Sequence, residues 1–163
     1  MVAEELRRRH ALPKLASKYQ GLAAEGRIAG CRVLLLLPLT FMNSSGRSVA
    51  DAARRLKIPV ERMLIIHDEV ELPFGEVRLK EGQGLGGHNG LRSLEQYLGS
   101  RDFWRVRVGI GKPDKQEKPL IDHVLAPFHE PRDEVVALLQ RAADIVDEWV
   151  AARGAARSDA HGE

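Results

Sequence analysis

Residues 82–90 read Gly-Gln-Gly-Leu-Gly-Gly-His-Asn-Gly, five glycines in nine positions. Glycine has no Cβ, so such a backbone takes positive φ and lets a ligand approach closely. His88 and Asn89 add side chains that bind polar groups without a fixed charge. The stretch is suited to holding a substrate. Leu64-Ile-Ile-His-Asp68 is an apolar run that turns polar at its carboxyl end, where α/β sheets bind ligands. Asp68 there could orient a histidine or hold a base ionised; equally, an Asp before Leu72-Pro73 suits a turn. Pro38-Leu-Thr-Phe-Met-Asn-Ser-Ser-Gly46 leaves a second apolar run in the same way. Asn43 could donate its amide to a carbonyl or an oxyanion, while Asn-Ser-Ser ahead of a helix is also an ordinary N-cap sequence. Arg78, Lys80, Arg105 and Arg107 could bind phosphates; a solvated sheet face explains them as cheaply.

Other chemistries have weaker support. Gly82-x-Gly84-x-x-Gly87 matches the dinucleotide fingerprint formally. That fingerprint wants an acid at the end of the next strand, and Asp102 precedes its strand instead. A merely flexible connection would not need His88 and Asn89. No Gly-x-Ser-x-Gly elbow occurs, which argues against a serine nucleophile. Cys31 heads an apolar run and reads as inert. His10, His123, His129 and His161 lack metal-ligand spacing, so no metal site is expected. No cofactor is expected either.

The elements that must position these residues follow from periodicity. The 163 residues suit one domain, and 44% hydrophobic content argues for a globular core. A net charge of +2 confines any nucleic-acid contact to a local patch. One cysteine permits no intrachain disulfide and favours a reducing compartment. No apolar run approaches membrane-spanning length, and acids stand where a signal peptide carries bases; a cytoplasmic protein is expected. Helices are predicted at 2–9, 48–57, 90–98 and 130–153, and buried strands at 33–37 and 63–66. Alternation at Val77–Lys80 and Trp104–Ile110 predicts two further strands. The expected fold is α/β: a single domain over 1–153, with a twisted, mixed but mostly parallel sheet flanked by helices, and a fraying tail at 154–163.

Three segments, Pro38–Gly46, Ile66-His-Asp-Glu-Val70 and Gly86-Gly-His-Asn-Gly-Leu91, occur in this order. Together with Arg105-Val-Arg-Val-Gly-Ile-Gly-Lys-Pro113 and the long final helix, they resemble the bacterial peptidyl-tRNA hydrolase family over nearly the whole chain. Members of that family cut the ester joining a peptide to the 3′ ribose of tRNA. The resemblance implies that Phe41, Asn43 and Asn89 contact the peptidyl-adenosine end and that His88 lines the same cleft. It implies that Asp68 holds the catalytic His in its basic form, and that Lys80 and Arg107 meet tRNA phosphate. The implied partner is peptidyl-tRNA, engaged at its 3′ end and acceptor stem, with no membrane and no obligate protein partner. The family suggests a monomer.

One departure matters. The family opens with a strand, a Gly-Asn-Pro-Gly loop and an Arg-His-Asn segment bearing the catalytic His, and this sequence has none of these. Arg9-His10 is followed by Ala11 and falls at the far end of the first helix, so His10 is not the base. The expectation is that the sequence starts at the family's first helix, the first family strand and the base being missing. A non-catalytic RNA-binding relative is the alternative. Without the strand, its neighbours are expected to show unpaired edges.

Overall fold

The computed structural model describes residues 2–39, 45–82, 89–112 and 131–161. Helix α1 spans Val2–Arg9, with Val2 and Leu6 buried and acids before bases along its length, as the helix dipole favours. An antiparallel meander follows: β1 (Ala16–Lys18), β2 (Gly21–Ile28) and β3 (Cys31–Pro38). Next come α2 (Ser45–Leu56), β4 (Leu64–Glu69), β5 (Val77–Glu81), α3 (Asn89–Leu98), β6 (Trp104–Gly109) and α4 (Arg132–His161). No described helix is long and apolar enough to cross a membrane.

The α/β expectation holds, but its sheet needs correcting. The strands form two three-stranded sheets, ordered β1-β2-β3 and β4-β6-β5. Among the described residues only β4 and β6 run parallel; the other three pairings are antiparallel. The meander was invisible to periodicity because β2 is rich in small residues. Its first turn also lacks the usual Gly, Asn or Asp: Tyr19 and Gln20 themselves take φ of 54° and 56°. The helix expected to end at Arg153 continues through Gly154 to His161.

Layering explains the apolar runs. Val33 and Leu35 of β3 face α4 with Val146, Trp149 and Val150, while Leu34 and Leu36 face Ala52 of α2. On β4, Leu64 and Ile66 join the α4 cluster, and Ile65 joins Leu91, Leu94 and Phe103 beneath α2 and α3. Strands covered on both faces need side chains that are apolar on both. Yet β3 stays half-buried along most of its length, as does β4 over Leu64–Ile66. The cause is a cleft of about 1860 Å³ lined by both strands, with Trp149 and Val150 on one side and Ala53 and Leu94 on the other. Among the described residues β3 pairs only with β2, and β4 only with β6. The middle layer is therefore split.

Candidate functional site

Register places the candidate residues. Lys80 lies opposite Arg105, and Arg78 opposite Arg107, on adjacent antiparallel strands. In the parallel pairing, Arg107 aligns with His67 and Gly109 with Glu69. Side chains alternate across a sheet, so Arg78, Lys80, Arg105, Arg107, His67 and Glu69 share one face. Val106 and Val108 take the other, against α4. Directly opposed like charges destabilise a sheet, so two consecutive basic pairs need neutralising groups.

The four bases meet that need differently. Arg107 places Nε and one terminal nitrogen 3.0 and 2.8 Å from Glu69 Oε1, with both side chains about four-fifths buried. Arg78 pairs with Glu76 at 3.2 Å and stays exposed. Arg105 is only 2% exposed and donates to the Gly82 carbonyl at 3.0 Å. Burial pushes its guanidinium below the ordinary value; nearby Arg107 acts the same way and Glu69 opposes both. Lys80 has no ion-pair partner among the described residues. The cluster is thus one available cation (Lys80), two partly compensated ones and one cation sealed in the sheet. Arg105 cannot serve as the surface phosphate ligand that its spacing suggested.

Asp68 sits at the carboxyl end of β4, half-buried, and lines the cleft with His67. His67 is buried, and its Nδ1–H donates to the Asp68 carbonyl at 2.9 Å. Asn89 is the first residue of α3. Phe41, Asn43 and His88 lie outside the described residues. His10 is held elsewhere: its Nε2 is 2.7 Å from Asp147, and Arg9 reaches Asp144 and Asp147 at 2.7 and 3.0 Å. These contacts tie α1 to α4.

Three contacts that sequence reasoning missed frame the motif-bearing segments. Gly46 of α2 donates its amide to Ser93 Oγ of α3 at 2.9 Å. Ser48, fully buried, donates its hydroxyl to the Tyr19 carbonyl, and the Leu39 amide bonds the Gln20 carbonyl at 3.2 Å. The turn at Tyr19-Gln20 therefore touches the chain on both sides of residues 40–44. Positive φ at two non-glycine residues was the structural signal, and no residue type announced it.

Fold and face define a three-layer α/β protein whose sheet presents a cationic surface beside a polar strand end. Known proteins narrow this class. The family model described as "Peptidyl-tRNA hydrolase" matches residues 1–161. The chain is 43% identical over 145 residues to a peptidyl-tRNA hydrolase of Rhodospirillum rubrum, covering 88% of this chain and 59% of that protein. It is 42% identical over 145 residues to that of Granulibacter bethesdensis, covering 88% and 74%. The crystal structure of the Acinetobacter baumannii peptidyl-tRNA hydrolase superposes with a TM-score of 0.77 at 37% identity, covering 91% of this chain and 74% of that one. The chain belongs to the peptidyl-tRNA hydrolase family. It spans 59% and 52% of the length of two of these relatives, those of R. rubrum and Rhodospirillum centenum.

Proposed function

We propose that this polypeptide serves hydrolysis of the ester between a peptide and the 3′ ribose of tRNA, the recycling step of stalled translation in the cytoplasm. The observation that carries the reading is the cationic sheet face: Lys80 stands without a described counter-ion, opposite a buried arginine and beside the Arg107–Glu69 pair. A phosphate supplies the anion such a face lacks. Family membership supports the substrate class.

The roles divide by chemistry. Lys80 and Arg107 meet tRNA phosphate near the acceptor stem. Phe41, Asn43 and Asn89 engage the peptidyl-adenosine end, and His88 lines the same space. Asn amides read a peptide backbone without selecting its side chains. Asp68 is the carboxylate that would hold a base His in its basic form. Ester hydrolysis by water needs that base together with donors to the tetrahedral oxyanion. None of the six histidines here stands in an Arg-His-Asn segment, so the chain as it stands supplies the binding surface and Asp68 but not the base.

The test is turnover of N-blocked aminoacyl-tRNA together with binding of the same tRNA. Binding with turnover reduced by about two to four orders of magnitude is expected, the usual cost of losing a general base. Near-normal turnover would overturn the missing-base assignment, and failure to bind tRNA would overturn the function. The second reading, a non-catalytic RNA-binding relative, rests on the same basic face. It predicts salt-sensitive RNA binding with no cleavage even in a polypeptide that carries the Arg-His-Asn segment.

A further inference from the structure

We propose that Tyr97 of α3 and Arg47 of α2 form a stacking platform for an unpaired base of tRNA just inside its 3′ end. The proposal rests on the tRNA substrate read above and adds to it a contact away from the sheet face.

Both side chains are exposed, and Tyr97 keeps 39% of its surface open. The Arg47 guanidinium carbon stands 5.7 Å from the Tyr97 ring centroid, and a terminal nitrogen donates to the Tyr97 hydroxyl at 3.2 Å. The helices do not depend on this tie. Gly46 and Ser93 already join them through a buried contact, whereas an exposed cation–aromatic pair adds little stability. A flat ring beside a guanidinium, both open to solvent, suits a nucleobase, which stacks on tyrosine rings and on arginine planes alike.

The charge around the pair favours the same ligand. Arg47 has no carboxylate partner among the described residues. Asp51, one turn along α2, is taken by Arg54 and Arg55 at 3.0 Å each, and Glu95 of α3 is taken by Arg101 at 2.7 Å. Helix α2 thus carries three arginines against a single acid, a surface that attracts phosphate. It also lies on the right side of the sheet. Helices α2 and α3 cover Ile65 of β4, whose face continues through His67 and Glu69 to Arg107 and Lys80.

Reach selects which bases can use the platform. Gly90, at the start of α3, lines the cleft together with Asp68. Tyr97 follows Gly90 by two helical turns, about 10 Å along the axis. At roughly 3.4 Å per stacked nucleotide, that distance is a span of about three. Unpaired nucleotides next to the reacting ester cover it. The paired acceptor stem offers no base, because its bases are stacked inside the duplex.

The test titrates deacylated tRNA, and the same tRNA trimmed of its unpaired 3′ nucleotides, over a salt series. Wild type is compared with Tyr97→Ala, Tyr97→Trp, Arg47→Gln and Lys80→Ala. Tyr97→Ala is expected to weaken intact tRNA roughly tenfold, the scale of one base–aromatic stack, and to leave trimmed tRNA unchanged. Tyr97→Trp keeps wild-type affinity, since the indole also offers a flat face. Arg47→Gln weakens intact tRNA severalfold and more than it weakens the trimmed form. Lys80→Ala weakens both forms and lowers the salt slope by about one. Wild-type affinity of Tyr97→Ala for intact tRNA overturns the proposal, as does an equal loss on both tRNAs. Should the wild-type chain bind neither tRNA, the substrate reading fails and the platform with it. Binding that depends on Lys80 but not on Tyr97 overturns the platform alone.

Discussion

Gly46 and Ser93 join α2 to α3 at a separation that leaves no room for a side chain: the Gly46 amide lies 2.9 Å from Ser93 Oγ, and a Cβ at position 46 would stand 2.2 Å from the Ser93 carbonyl oxygen. The obstacle is helix backbone, which cannot rotate aside. The contact fixes the start of α2 against the helix that Asn89 opens. Gly46→Ala should therefore force the helices apart and cost about 1–3 kcal/mol, the range for overpacking a close contact. Urea unfolding measures it. Wild-type stability would mean that the helices separate freely and that the contact positions nothing.

Ser48 and the turn at Tyr19-Gln20 make a pair of predictions of opposite sign. Ser48→Ala leaves the Tyr19 carbonyl without its buried hydroxyl donor, a loss of about 1–3 kcal/mol. Gln20→Gly instead relieves a left-handed residue at φ 56°, where an L side chain costs roughly 1–2 kcal/mol. The glycine's greater unfolded-state entropy offsets part of that gain. Thermal unfolding should rank Gln20→Gly at or above wild type and Ser48→Ala below it. A neutral Ser48→Ala would show that the hydroxyl does not hold the turn.

Glu69 restrains Arg107, which gives the cationic face a counter-ion that can be removed. Glu69→Gln keeps the shape and deletes the charge that meets Arg107 at 2.8 Å. It should strengthen tRNA binding at low salt and steepen the salt dependence by up to about one ion, since a freed arginine can neutralise a further phosphate. Arg107→Ala should weaken binding less than Lys80→Ala, because part of the Arg107 charge is already compensated. Binding titrations over a salt series decide this; weaker binding by Glu69→Gln would mean that the pair acts as a unit that orients Arg107.

Sequence pattern revealed what depends on local period. The spacing of Val49, Ala52, Ala53 and Leu56 marked α2, and the apolar runs marked β3 and β4, because each reflects which faces are covered. Partners distant in sequence were not legible. Arg105 and Arg107 sit on one alternating strand and look equivalent there, yet one is sealed against Gly82 and the other meets Glu69. Nothing local encodes that 23-residue closure. Of the candidate site, Asp68 at a strand end and Lys80 on the basic face could be placed from pattern. The contacts of Gly46 and Ser48 needed the tertiary structure, since a glycine or serine near a helix start has many ordinary uses.

The split middle layer carries the last prediction. The half-buried Val33–Leu37 and Leu64–Ile66 line a cleft of about 1860 Å³, and each strand has one hydrogen-bonded neighbour among the described residues. Open, apolar strand edges recruit other strands, and exposed sheet interior binds hydrophobic dyes. The chain should therefore bind anilinonaphthalene sulfonate under native conditions and self-associate as its concentration rises, with a broad, poorly reversible melt. Leu35 points into the α4 side of the cleft. Leu35→Lys should reduce association by placing a charge along the edge, while lowering stability through lost packing. The two effects separate in sedimentation and unfolding measurements. A sharp, reversible, high-temperature melt with a monomer at every concentration would contradict the open-edge reading, because a closed cleft would leave neither edge nor apolar wall for a second molecule to meet.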